Sequence, residues 1–230
     1  MLQATIADQL TKVRARINLA AKIAQRPASS IQLVAVSKTK PTTNIEEAYT
    51  AGQRQFGENY VQEGVDKVLA TKHLKDLQWH FIGELQSNKT RQVAEHFDWV
   101  QSLDRLRIAT RLNNQRPSEL APLQVLVQVN IDAEETKAGI TINELPEFAA
   151  AINDLPRLEL RGLMVIPRAN PSPAEQAESF ARCRQVFEEL KQQHARIDTL
   201  SLGMSNDLET AIQYGSTMVR VGTDIFGTRP

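Results

Sequence analysis

The sequence predicts an α/β protein, a (β/α)8 TIM barrel in a single domain with an N-terminal helix packing on the barrel. Three observations predict it: eight short apolar runs along 230 residues, helical patterning between them, and no glycine-rich turn after the first run. Strands that alternate with helices pair in parallel through crossover connections, and eight such units fit a closed barrel. A doubly wound open sheet competes, but it usually has about five to seven strands and a glycine-rich first turn. Here that turn reads Ser37-Lys38-Thr39-Lys40-Pro41.

Taken in order, residues 1–25 give the first element. Leu2, Ile6, Leu10, Val13, Ile17 and Ala20 or Ala21 recur at helical spacing, which makes one apolar stripe suited to packing on the domain. The apolar runs then fall at 31–37, 53–57, 78–82, 99–102, 124–130, 159–166, 199–202 and 218–221, and each reads as a strand. Helical patterns lie between them at 43–51, 60–72, 89–96, 104–113, 142–153, 173–194 and 206–214. The chain ends soon after the eighth run, so the expectation is that the N-terminal helix fills the place of an eighth outer helix. No repeat, low-complexity tract or linker divides residues 1–230, and the proline-rich stretch 167–173 reads as one barrel loop.

The 27 basic and 27 acidic side chains cancel, so no long-range field gathers polyanions and nucleic acid is not expected as a partner. The single cysteine, Cys183, excludes an intrachain disulfide and fits a reducing, cytoplasmic compartment. Four histidines show no ligand spacing with one another or with Cys183, so no metal site is expected. The first residues carry Asp8, Lys12, Arg14 and Arg16 and lack the apolar run of a secretory signal, and no stretch approaches a membrane span.

The first apolar run ends in Lys38. A buried strand that passes into a loop at its C-terminal end projects its last side chain over the face where barrel active sites lie. An amine partly desolvated there keeps a larger neutral, nucleophilic fraction and attacks aldehydes; the plain alternative is a solvated surface lysine. At the other end of the chain, Gly203, Ser205 and the segment behind them, together with Gly222 and Thr223, form the loops after strands seven and eight, where barrels commonly bind phosphate. Ser205 offers a hydroxyl and a helix cap, although a cap and a turn alone would account for either loop. Arg220 alternates with Val219 and Val221 and so faces the barrel interior, where it donates to a ring nitrogen or to an ion-pair partner. An amine, an arginine and a phosphate cradle together describe an aldehyde-bearing phosphate ligand such as pyridoxal 5′-phosphate (PLP).

Five stretches carry a family resemblance: Ala35-Val36-Ser37-Lys38; Phe56-Gly57-Glu58-Asn59-Tyr60-Val61-Gln62-Glu63; Trp79-His80-Phe81-Ile82-Gly83-Glu84-Leu85-Gln86-Ser87-Asn88-Lys89; Leu202-Gly203-Met204-Ser205-Asn206-Asp207; and Val219-Arg220-Val221-Gly222-Thr223-Asp224-Ile225-Phe226-Gly227. Together they resemble the pyridoxal-phosphate homeostasis proteins of bacteria, cyanobacteria included, over nearly the whole chain. The family's fold is similar to the barrel domain of alanine racemase. The resemblance implies that Lys38 forms the internal aldimine with PLP, that Ser205, Gly222 and Thr223 bind its phosphate, that Met204 and Asn206 also belong to the cofactor site, and that Arg220 faces the pyridine nitrogen. It also places Asn59, His80 and Ile82 near the cofactor, and it includes Lys137 and Gly139 in a motif whose role it leaves open.

An arginine at the ring nitrogen disfavours its protonation and makes the ring a poorer electron sink. Alanine racemase sets a tyrosine from a second domain opposite its lysine. The present sequence stops at Pro230, and Tyr49, Tyr60 and Tyr214 all fall in helical patterns away from or bordering the mouth. The resemblance therefore implies a monomeric PLP binder acting in vitamin B6 and amino-acid homeostasis without enzymatic activity of its own, with delivery to PLP-dependent apoenzymes. The alternatives are a low-activity PLP-dependent racemase or decarboxylase and, in another class, a Schiff-base aldolase acting on a phosphorylated sugar.

Overall fold

The computed structural model describes residues 4–228, in which eight parallel strands close into a barrel with each strand beside the next in sequence and the last beside the first. The order is α1 (Ile6–Ile23), β1 (Gln32–Val36), α2 (Thr42–Thr50), β2 (Gln55–Glu58), α3 (Val61–Ala70), β3 (Gln78–Phe81), α4 (Thr90–His96), β4 (Trp99–Leu103), α5 (Leu106–Gln115), β5 (Leu123–Gln128), α6 (Leu145–Asn153), β6 (Leu158–Met164), α7 (Pro173–Gln193), β7 (Thr199–Ser201), α8 (Leu208–Gln213), β8 (Met218–Val221) and α9 (Thr223–Phe226). All eight expected strands form, with ends shifted by a residue or two and β8 as read. Short 3-10 turns precede α4 and α6, where the sequence reading runs the helices together.

The N-terminal helix starts on a reciprocal cap: Thr5 Oγ1 accepts the Asp8 N–H while the Asp8 carboxylate accepts the Thr5 N–H. Leu10, Val13, Ile17, Ala20 and Ala21 are all buried along the expected stripe, whereas Leu2 lies outside the described residues. The helix packs on α2, α8 and α9, in the outer-ring gap it was expected to fill. One detail differs, because the chain after β8 turns into the four-residue α9 rather than ending without a helix.

The main core lies between strands and outer helices, and Cys183 of α7 is fully buried within it. A second apolar cluster of Trp99, Leu126 and Met164 lies apart from it; Trp99 stacks on the barrel-lining His80 at a centroid distance of 5.2 Å. Cross-strand register pairs Val34 with Arg220 and Gly57 with His80, and a Cβ at Gly57 would touch Val34 and Ile82. These residues therefore share the interior face. By alternation along the first strand, Val34, Val36 and Lys38 also point to that side.

Candidate functional site

The mouth of the barrel opens at the C-terminal ends of the strands, and Lys38 sits there in a tight turn. The Lys40 N–H donates to the Ser37 carbonyl at 3.0 Å, which makes Lys38 and Thr39 the two corner residues. Thr39 takes φ +62°, a left-handed conformation that β-branched residues rarely adopt, so the surrounding structure must hold it. It does so on both sides of Lys38. Ser37 Oγ donates to Glu58 Oε1 at 2.6 Å, and the Thr39 N–H donates to Glu63 Oε1 at 2.6 Å. Lys67 Nζ joins the two by donating to the Ser37 carbonyl (2.7 Å), Glu58 Oε1 (2.8 Å) and Glu63 Oε1 (2.7 Å). Burial pushes the Glu58 carboxyl above the usual carboxylate range, against the pull of the Lys67 ammonium.

Arg220 confirms its inward placement. Nη1 donates to the Ser201 carbonyl at 2.8 Å and to Ser201 Oγ at 2.7 Å, and Nη2 donates to the Val165 carbonyl at 2.9 Å. Its partners are neutral, so it is not bound in an ion pair at the barrel base. Burial brings its pKa down to about 10, and it still carries its charge at neutral pH. Ser201 Oγ passes the chain on to Gln101 Oε1 (2.6 Å), and the Gln101 amide meets His80 Nδ1 (2.9 Å). With Nδ1 accepting, the His80 proton lies on Nε2. Full burial lowers the His80 pKa to about 3, so the ring is neutral. His80 Nε2 and Asn59 Oδ1 are both buried without a hydrogen-bond partner. Asn59 does not cap α3, whose first-turn N–H groups receive no side-chain cap and whose N-cap position is Tyr60.

The loops after β7 and β8 depart from expectation at one point. Ser205 is not a helix cap: α8 begins at Leu208, after Asp207. Residues Met204 to Asp207 form a turn in which Asp207 Oδ1 accepts the Met204 N–H at 2.6 Å, and this self-contained turn delays the helix. Gly203 opens the loop at φ +99°, where a Cβ would also stand 2.6 Å from Cβ of Ala211. The N–H groups of Ser205 and Asn206 have no acceptor among the described residues. Met204 and Asn206 are exposed, Ser205 and Gly222 are half-buried, and Thr223 is the exposed first residue of α9.

Lys38, Ile82 and Gly222 lie just past the ends of β1, β3 and β8, Arg220 lies on β8, and Thr223 opens α9. Lys137 is engaged within the fold. Its Nζ donates to the Pro167 carbonyl at 2.7 Å and pairs with Glu134, tying the loop after β5 to the loop after β6. Gly139 lies where that loop folds back so that Ile140 bonds to Gln128 and Asn130. Sequence reasoning misses Glu58, Glu63, Lys67, Gln101 and Ser201. The four-residue interval from Glu63 to Lys67 on a helix was the available signal. An amine, an interior guanidinium, two unpartnered buried polar atoms and loop N–H groups at one end of a barrel fit an aromatic aldehyde carrying a phosphate.

Residues 9–230 match the family described as alanine racemase, N-terminal domain. The chain is 58% identical over 226 residues to the pyridoxal phosphate homeostasis protein of Escherichia coli strain K12, covering 97% of each. It is 51% identical over 225 residues to the protein of that name from Pseudomonas aeruginosa, covering 98% of this chain and 96% of that one. The structure of PipY from Synechococcus elongatus with PLP bound superposes with a TM-score of 0.83 at 38% identity, covering 97% of this chain and all of that one. Alanine racemase from Corynebacterium glutamicum superposes with a TM-score of 0.68 at 14% identity, covering 95% of this chain and 61% of that one, a likeness of fold.

Proposed function

The chain belongs to the pyridoxal phosphate homeostasis protein family, and from that premise we propose that it binds PLP at the barrel mouth as a reserve for vitamin B6 and amino-acid homeostasis. The observation that carries this reading is the neighbourhood of β1 and β8. Their pairing sets Arg220 opposite Val34 and Gly222 against Val36, so Arg220 lies below the clamped Lys38 turn on the same interior side and the Gly222-Thr223 segment lies near that turn. Lys38 attacks the aldehyde and, with loss of water, holds the cofactor as a Schiff base. The loop N–H groups and hydroxyls of Ser205 and Thr223, with Met204, Asn206 and Gly222 about them, receive the phosphate. Asn59, His80 and Ile82 border the ring, with the unpartnered His80 Nε2 and Asn59 Oδ1 available to its polar substituents.

When bound, the cofactor supplies an aldehyde and a ring that can accept electrons from a carbanion. Arg220 faces the ring nitrogen as a charged donor with no proton acceptor to offer, so the nitrogen stays unprotonated and that sink is weak. The tyrosines support a binding role over turnover. Tyr49 lies beneath the Arg54 guanidinium and Tyr214 against Phe180, both spent on packing, while Tyr60 is exposed at the rim. The barrel with its N-terminal helix acts as one monomeric, cytoplasmic PLP-binding domain that hands the cofactor to PLP-dependent apoenzymes. Among the described residues, no helix is long and apolar enough to cross a membrane.

Titration of apoprotein with PLP, followed by the visible absorbance of the Schiff base, tests binding. The wild-type protein develops the band and Lys38→Ala does not; a full band in Lys38→Ala overturns the reading. Deuterium exchange at Cα of a panel of amino acids tests the absence of turnover. Exchange beyond one equivalent per protein would restore the racemase or decarboxylase alternative.

A further inference from the structure

One side chain of the N-terminal helix reaches both loops assigned to the phosphate. Arg16 Nη2 donates to the Ser205 carbonyl at 2.7 Å in the loop after β7, and its Nη1 donates to Asp224 Oδ2 at 2.5 Å, in the first turn of α9 that follows Gly222 after β8. Its Nε and Nη2 also hold the Glu209 carboxylate of α8 as a fork, at 2.6 and 2.9 Å. Arg16 lies outside the buried apolar stripe by which α1 packs on the barrel. Arg16 holds two carboxylates, Glu209 of α8 and Asp224 of α9, on the elements that follow the two loops, while a third, Asp207, is already tied to the Met204 N–H. Unopposed, Glu209 and Asp224 would repel a phosphate dianion.

We propose that Arg16 is a positioning residue for the phosphate group: it fixes the two loops relative to each other and neutralises Glu209 and Asp224, so that the barrel prefers a phosphorylated ligand to its dephosphorylated form. The inference rests on the PLP-binding reading above. The side chains of Arg16 and Asp224 are about one-third exposed and that of Glu209 about two-fifths, so the effect is moderate and is screened by salt.

The test measures dissociation constants of PLP and of pyridoxal, which lacks the phosphate, for wild type, Arg16→Ala, Arg16→Lys and the triple variant Arg16→Ala/Glu209→Gln/Asp224→Asn. Arg16→Ala weakens PLP about tenfold, which corresponds to about 1.4 kcal/mol, while pyridoxal stays within about twofold. Arg16→Lys falls between, since it restores the charge without the planar fork. The triple variant regains part of the PLP affinity because the repelling carboxylates are gone. Equal weakening of both ligands by Arg16→Ala, or unchanged PLP affinity, overturns the inference. Wild-type protein that binds neither ligand overturns the underlying PLP reading instead, so the two failures are distinguishable.

Discussion

Replacing Lys67 with methionine removes the cation that joins both flanks of Lys38. The side chain of Glu58 is fully buried and that of Lys67 is 6% exposed, so solvent cannot take over the lost contacts. Removing one partner of a buried ion pair costs about 3–5 kcal/mol, because the other is left uncompensated. For a domain of this size each kcal/mol lowers the melting temperature by about 2–4 °C, so a fall of roughly 6–20 °C is expected. The loss depends on pH. Burial already raises the Glu58 pKa, and removal of Lys67 raises it further. The folded variant therefore binds a proton more readily than the unfolded chain, and its penalty is smaller at pH 5 than at pH 8. Urea unfolding followed by circular dichroism, at both pH values, measures this. Lys67→Met/Glu58→Gln should recover much of the stability, since no ionised group is then stranded. A loss under about 1 kcal/mol at pH 8, or a double variant no more stable than Lys67→Met, would refute the clamp.

Other expectations concern groups held in unusual states. With His80 lowered from 6.5 to about 3, the unfolded chain takes up a proton that the folded one refuses. Stability is therefore full above pH 6.5 and declines on acidification toward pH 3, by about 1.4 kcal/mol per unit from this group. The difference in unfolding free energy between wild type and His80→Gln should thus change by about 2 kcal/mol between pH 7 and pH 5; a constant difference would contradict it. The Cys183 thiol, fully buried and pushed up to about 12, should react with an aromatic disulfide reagent only on unfolding, and rapid reaction of native protein would count against the packing of α7.

Much of this protein is legible in its sequence because local signals and the fold agree. The β-branched run before Lys38 and the alternation of Val219, Arg220 and Val221 each encode a direction, and closure of the barrel turns those directions into a site. The stripe from Leu10 to Ala21 likewise states which face of α1 is covered. What was not legible arises from pairings across the chain. Glu58 sits inside a recognisable motif, but nothing local says that its carboxylate turns toward Lys67 on the next helix. Ser201 and Gln101 are a hundred residues apart and meet only inside the closed barrel. Ser205 resembles a helix cap by residue type, yet the Asp207 side chain captures the Met204 N–H first and moves the helix start to Leu208.

Reduction of the PLP-loaded protein with borohydride, followed by peptide mapping, addresses the central claim most directly. The phosphopyridoxyl mass should fall on the peptide containing Lys38, in a ratio approaching one per chain. Label distributed over Lys67, Lys137 or surface lysines, with Lys38 unmodified, would contradict it.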